Sequence, residues 1–206
     1  MVLRLFAVVL IAAAPAVAFA QQRQFGAKVG PAFTGIALAN DDGQTYHPRI
    51  AALGGGFFML PLKPRFAVQF EAMSSPKGTR LEEDGDGFAQ TLMLRYFEVP
   101  VLARVNGPNV GPGILYLLAG PFFGIRASAK AQIASVTDSV NAGLREDASD
   151  AIERFESGLI VGGGLEIGRH LLVEGRYSHG FTNVNRVEGF NEFTNRGISF
   201  TTGVRF

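Results

Sequence analysis

The feature that most constrains this chain is an alternation of apolar and polar residues with period 2. It recurs after residue 24 in segments the length a tilted strand needs to cross a bilayer, about 9 to 11 residues. Phe25 to Phe33 sets Phe25, Ala27 and Val29 against Lys28, and Ile50 to Leu60 runs through Gly54-Gly55-Gly56 to Phe57 and Met59 on one face. From Phe66 the contrast is clearest: Phe66, Val68, Phe70 and Ala72 face one way, Gln69 and Glu71 the other. Leu92 to Val105 sets Phe97, Val99, Val101, Ala103 and Val105 against Tyr96, Glu98 and Arg104, with Pro100 in the middle, where a missing N–H predicts a bulge or irregular pairing. Four more segments follow: Ile114 to Ala127, Phe155 to Ile167, Leu171 to Phe181 and Gly197 to Phe206.

The connections between these eight segments alternate in length. Pro61 to Pro64, Asn106 to Gly113 and Gly168 to His170 are short; Gly35 to Arg49, Ser74 to Gln90, Ser128 to Arg154 and Thr182 to Arg196 are long and polar. Short turns at one end and long loops at the other predict an all-β fold, an eight-stranded antiparallel up-and-down transmembrane β-barrel with four long extracellular loops. The same alternation also suits a soluble barrel or sandwich with its apolar face inward. Lipid outside is favoured because the charged residues share the small, Gly-rich face, which suits a narrow barrel interior filled by its own side chains. Within the third long loop, Leu144, Ala148, Ala151, Ile152 and Phe155 stand at near-helical spacing, and a short helix is expected over Gly143 to Phe155.

Residues 1–20 carry Arg4, an uncharged apolar run from Leu5 to Ala18, and the small-residue pattern Ala18-Phe19-Ala20. That order reads as a Sec-type signal peptide cleaved near Ala20, leaving 21–206 as the barrel domain exported to the outer membrane of a diderm bacterium. After this leader the longest apolar stretches, such as Gly113 to Ile125, are broken by Gly and Pro, so none resembles a membrane-spanning helix. The 19 Lys and Arg stand against 18 Asp and Glu, one of the bases in the leader, and this balance gives no reason to expect a nucleic-acid partner. With no Cys, disulfides, thiolate metal sites and thiol catalysis are excluded.

Several stretches in order resemble the PorT-like outer-membrane β-barrel proteins, a porin-like family: Phe25 to Phe33 (FGAKVGPAF), Tyr96 to Arg104 (YFEVPVLAR), Leu117 to Ile125 (LLAGPFFGI), Phe155 to Gly168 with Leu171 to Val184, and the terminal NRGISFTTGVRF. The resemblance covers essentially the whole chain after the leader and implies a barrel fold and an outer-membrane location, but little about activity. The last strand, ending in Phe206, also looks like the C-terminal signal read by the barrel-assembly machinery. The expected partners are therefore that machinery, outer-membrane lipid, and an extracellular or envelope protein met through the loops.

No catalytic, cofactor-binding or metal-binding residue is assigned, and no cofactor is expected. His47, His170 and His179 are the histidines, and the topology puts His170 at the opposite end from the other two, which excludes a shared metal site. His179 loosely resembles the His-bearing strand of outer-membrane lipid A deacylases. That family places a Ser two residues on; here the residue is Phe181, while Ser178 and Thr182 fall on the other face. His179 and Tyr177 then read as members of an interfacial aromatic girdle. Glu82 to Asp86 is acidic, yet Phe88 stands where an EF-hand loop needs a ligand, and the GGG runs lack the Lys and Ser/Thr of a phosphate-binding loop. Lys28, Glu71, Glu98, Arg104, Arg126, Glu166, Glu174, Arg176 and Arg205 are expected to point inward and pair. The reading is a barrel without catalytic activity, with a structural or interaction role; a narrow pore and a lipid-modifying enzyme are the alternatives.

Overall fold

The computed structural model describes residues 23–38, 46–82, 88–135, 144–147, 151–168, 170–185 and 193–206. The expected leader and the acidic run 83–86 lie outside them. The strands are β1 (Gln24–Leu38), β2 (Tyr46–Lys63), β3 (Phe66–Glu82), β4 (Phe88–Val110), β5 (Gly113–Ser135), β6 (Leu144–Asp147), β7 (Phe155–Ile167), β8 (Leu171–Gly180) and β9 (Phe193–Arg205). Eight of them close a ring: β1 pairs with both β2 and β9, and β4 pairs with β5, every neighbour antiparallel. Closure leaves the ring without a free edge, which a sheet surrounded by lipid requires. A backbone link at the closing seam ties the start of β1 to the residue after β9, with Phe206 donating to Phe25 O at 2.8 Å.

The strands run well past the expected segment ends. β4 and β5 are 23 residues each, against the about 9 to 11 that cross a bilayer, so much of what the sequence reads as long loop is sheet projecting beyond the apolar band. β6 sits on this projection. β7 accompanies β5 only as far as Ile125↔Phe155, and beyond that point β6 covers the open edge of β5 from Lys130↔Asp147 to Ile133↔Leu144. Here the helix expected over Gly143 to Phe155 is corrected to a strand at 144–147, residues 143 and 148–150 lying outside the described ones. A single short helix without a packed partner is marginal, whereas the exposed edge of β5 offers 144–147 ready-made hydrogen-bond partners.

At Pro100 the ladders are interrupted, as expected, but no bulge forms. Val99 faces Phe123 and Ala103 faces Ala119 in one unbroken register; the shifts fall instead between Arg95 and Tyr96 and between Asn106 and Asn109. Proline removes one donor, which leaves a gap in the ladder but demands no extra residue. The extra residue is Ala127, because Tyr96 faces Arg126 while Arg95 faces Ser128.

On every ring strand but β2 the faces sort as the alternation implies. Phe25, Val29, Phe70, Phe97, Leu117, Phe123, Val173 and Phe200 project from the wall, whereas Lys28, Gln69, Glu71, Tyr96, Arg104 and Arg176 are buried in the lumen. Phe57 and Met59 take the inward face of β2 and join Leu102, Tyr116, Leu118 and Phe122 in an internal apolar cluster. Gly163 faces outward, while Gly162 and Gly164 stand opposite inward groups on both neighbouring strands.

Candidate functional site: a charged lumen under an apolar cap

The lumen is filled by long side chains that mostly project across glycine. Lys28 stands opposite Gly55 and Gly203, Glu98 opposite Gly124, Glu174 opposite Gly164, and Arg176 opposite Gly162. A barrel of eight strands has room inside for such groups only where the neighbouring wall carries no side chain of its own. The Gly-rich inward face is therefore the steric counterpart of the charged one.

Three layers result. Nearest the turn end, Glu166 is held by Arg104 and Arg205, each at 2.6 Å, and the Arg104 guanidinium lies 3.7 Å from the centre of the Tyr116 ring. In the central layer Arg176 grips both oxygens of Glu71, at 2.6 and 2.7 Å, and donates through Nε to Glu174. Lys28 joins the same carboxylates at 3.0 and 3.1 Å. Gln69 donates to Glu71 at 2.5 Å, and the Tyr116 hydroxyl donates to Glu174 at 3.0 Å. Two cations thus meet two carboxylates with their hydrogen bonds largely satisfied, the condition under which buried charge is tolerated. Glu174 and Arg176 reach the same layer because they lie two apart on one strand.

The third layer, nearer the loop end, joins Lys77 to Glu98 at 2.9 Å and to Glu156 at 3.8 Å, with the ammonium 4.7 Å from the centre of the Phe122 ring. Above it the mouth is capped. Ile152 and Val184 fold in against Leu94, Tyr96 and Ala129, and the cap is tied by Glu153 N to Val184 O at 2.7 Å and by the Tyr96 hydroxyl to Glu153 O at 3.0 Å. Arg126 donates to the carbonyl of Ile152.

The described residues line a vestibule and a smaller cavity along the axis. A vestibule of about 520 Å³ opens at the turn end and stops at Glu166 and Arg205. Between the central and third layers lies a cavity of about 30 Å³, lined in part by Thr34, Ser75, Lys77, Glu98 and Ser178, room for roughly one water. Tyr116, Glu174, Lys28 and Arg176 are buried in the layer between them.

All nine charges expected to point inward do so, and most are paired as expected. The structure adds Lys77, Glu156 and the fully buried Asn195, which complete the third layer. Lys77 and Asn195 lie on parts of β3 and β9 that the sequence assigns to loops, behind Pro76 and Gly78 in one case and Arg196 in the other. Ser75, Lys77 and Thr79 do continue the inward parity of Glu71 and Met73, the one sequence signal that could have found Lys77.

The histidines lie apart. His170 sits in the β7–β8 turn, its Nδ1 2.8 Å from Arg205 O, and His179 is at the other end of β8. His179 faces outward between the rings of Tyr177 and Phe181, with centroids at 6.3 and 5.7 Å. The neighbouring hydroxyls are engaged elsewhere: Ser178 donates to Gly197 O at 3.4 Å, and Thr182 Oγ1 accepts from Ser157 N at 3.0 Å. Among the described residues no cluster of three or more His, Asp or Glu has a geometry suited to a metal ion.

The family model described as outer membrane protein beta-barrel domain matches residues 19–186. Among solved structures, the chain is similar to Ail, the attachment invasion locus protein of Yersinia pestis, at 14% identity and a TM-score of 0.44, over 90% of this chain and 99% of that one. It is similar to Neisserial surface protein A at 9% identity and 0.46, covering 88% and 97%, and to OprG of Pseudomonas aeruginosa at 12% and 0.46, covering 89% and 95%. No curated protein sequence matches the chain.

Proposed function

We infer the role of this chain from the premise that it belongs to the outer membrane protein beta-barrel domain family, and so to the outer membrane of a Gram-negative bacterium. It is a plugged, non-catalytic barrel that works through the strand extensions and loops it presents outside the cell. The observation that carries this reading is the lumen: three ion-pair layers and an apolar cap occupy it, and the wall then continues as sheet well beyond the apolar band. A scaffold built this way invests its length in an external surface rather than in a passage.

Within the family, the stretches from Tyr96 to Arg104 and from Phe155 to Val184 support a PorT-like kinship. The leader is removed near Ala20, and the barrel-assembly machinery takes up the last strand through Phe206, whose ring lies exposed 6.0 Å from that of Phe25 at the closing seam. An extracellular or envelope protein meets the loops. The test is planar-bilayer recording of the purified, folded chain: the reading expects no steady conductance. Discrete openings whose size changes in Glu98→Gln or Arg176→Gln would make the narrow-pore alternative the correct one.

A further inference from the structure

The wall segregates its charges. The glutamates of the ring strands whose side chains are described, Glu71, Glu98, Glu156, Glu166 and Glu174, are buried in the lumen. Outside, among residues whose side chains are described, the acidic groups are Asp147 and Glu153. The Glu153 carboxylate is turned to its own backbone, accepting from the N–H groups of Arg154 and Phe155 at 2.9 and 3.4 Å.

Basic groups stand where the apolar band stops at the loop end. Arg95 is two residues beyond Phe97 on the outward face of β4, and Arg196 is two residues beyond Ile198 on β9. A step of two residues on a tilted strand lifts a group by about 5 Å along the membrane normal, from the edge of the hydrocarbon to the headgroups. Arg154 keeps the same level, its guanidinium 5.9 Å from the centre of the exposed Phe155 ring. His179 stands directly across the ladder from Arg196. Arg95, Arg154 and Arg196 are exposed, and none takes part in an ion pair among the described residues.

We propose that this arc, running around the wall from β4 through β5, β7 and β8 to β9, is a binding surface for the phosphate groups of lipid A in the outer leaflet. A guanidinium offers phosphate a fork of donors, and its aliphatic stem lies along apolar wall while the head reaches the interface. Directly beneath the arginines, Phe97, Ile125, Phe155 and Ile198 present the apolar surface that acyl chains would cover. This placement commits the surface to a lipid. The three arginines stand at the seam between apolar wall and water, where a phosphate attached to acyl chains lies, and not out on the loops where a polysaccharide would be met. The assignment is independent of conduction, so lipid titration and bilayer recordings succeed or fail separately.

The experiment uses the purified full chain folded in neutral detergent, titrated with diphosphorylated lipid A, its dephosphorylated form and phosphatidylglycerol. The expected result is at least tenfold tighter retention of diphosphorylated lipid A than of either other lipid. The triple change Arg95→Gln, Arg154→Gln and Arg196→Gln should remove that preference while unboiled gel mobility still reports a closed barrel. Arg23→Gln, Lys63→Gln and Arg65→Gln, at the opposite rim, should alter affinity less than twofold. Equal binding of the dephosphorylated form overturns the proposal on the unmodified chain alone. So does equal binding of phosphatidylglycerol, or an equal loss from the opposite-rim variant, since either would mean undirected charge attraction.

Discussion

Arg176→Met tests whether the central layer holds the barrel together as a charge-balanced unit. The substitution keeps an apolar stem of similar length but removes the donors that grip Glu71 at 2.6 and 2.7 Å and reach Glu174. Lys28, at 3.0 and 3.1 Å, is then the one cation left in the layer for two buried carboxylates, and the layer passes from neutral to one net negative charge. Breaking one side of a buried ion-pair network costs about 3–5 kcal/mol. With a urea dependence of about 2 kcal/mol per molar, the midpoint should fall by about 1.5–2.5 M. The chain has no Trp, so unfolding is best followed by the gel mobility of unboiled samples and by circular dichroism. Adding Glu71→Gln restores neutrality, with Lys28 facing Glu174 only, and the double variant should recover about 1–3 kcal/mol of the loss. The reasoning is refuted if Arg176→Met costs under about 1 kcal/mol, or if the second change lowers stability further by its full separate amount.

Two further outcomes follow from the wall. A Cβ at Gly164 would sit 2.4 Å from the carbonyl oxygen of Val173 and 2.5 Å from the Tyr116 hydroxyl, so Gly164→Val should displace Tyr116 from Glu174 and cost about 1–3 kcal/mol, read as a lower urea midpoint; an unchanged midpoint would mean the interior repacks freely. Ala131 and Glu146 are partners in the β5–β6 ladder of a chain without native cysteine, so the pair Ala131→Cys and Glu146→Cys should form a disulfide on mild oxidation, detected by mass spectrometry; thiols that stay free would exclude this pairing.

The parts of the fold legible in the sequence are those where the two faces of a strand meet different solvents. Between Phe66 and Ala72, or Phe97 and Val105, one face touches lipid and the other the charged lumen, and the period-2 contrast is at its largest. Beyond the bilayer both faces meet water or polar neighbours, the contrast vanishes, and Phe88 to Gln90 of β4 and Ser128 to Ser135 of β5 read as loop although their backbone pairing continues to Phe88↔Ser135. In β3 the signals are actively misleading. Pro76 and Gly78 are turn residues in isolation, yet the β2–β3 ladder is open between Thr79 and Ser74, so proline breaks no pairing with β2, and Arg49 and Thr34 fill the gap by donating to Lys77 O and Gly78 O. Gly78, at φ 112°, adopts a conformation that suits glycine and passes close to the carbonyl of Leu92.

The strand count of the ring, the lipid-facing side of every ring strand but β2, and most of the charges that enter the lumen were written in the residues alone, because each is encoded by residues one or two positions apart. Which charge meets which was decided by the tertiary structure alone. Lys28 and Glu174 are 146 residues apart and Arg176 and Glu71 are 105 apart, and only closure of the ring at the β1–β9 seam and its fixed register brings them to one height. The same holds for the cap over the mouth and for β6 on the open edge of β5: both answer an exposed surface that exists only once the barrel has closed.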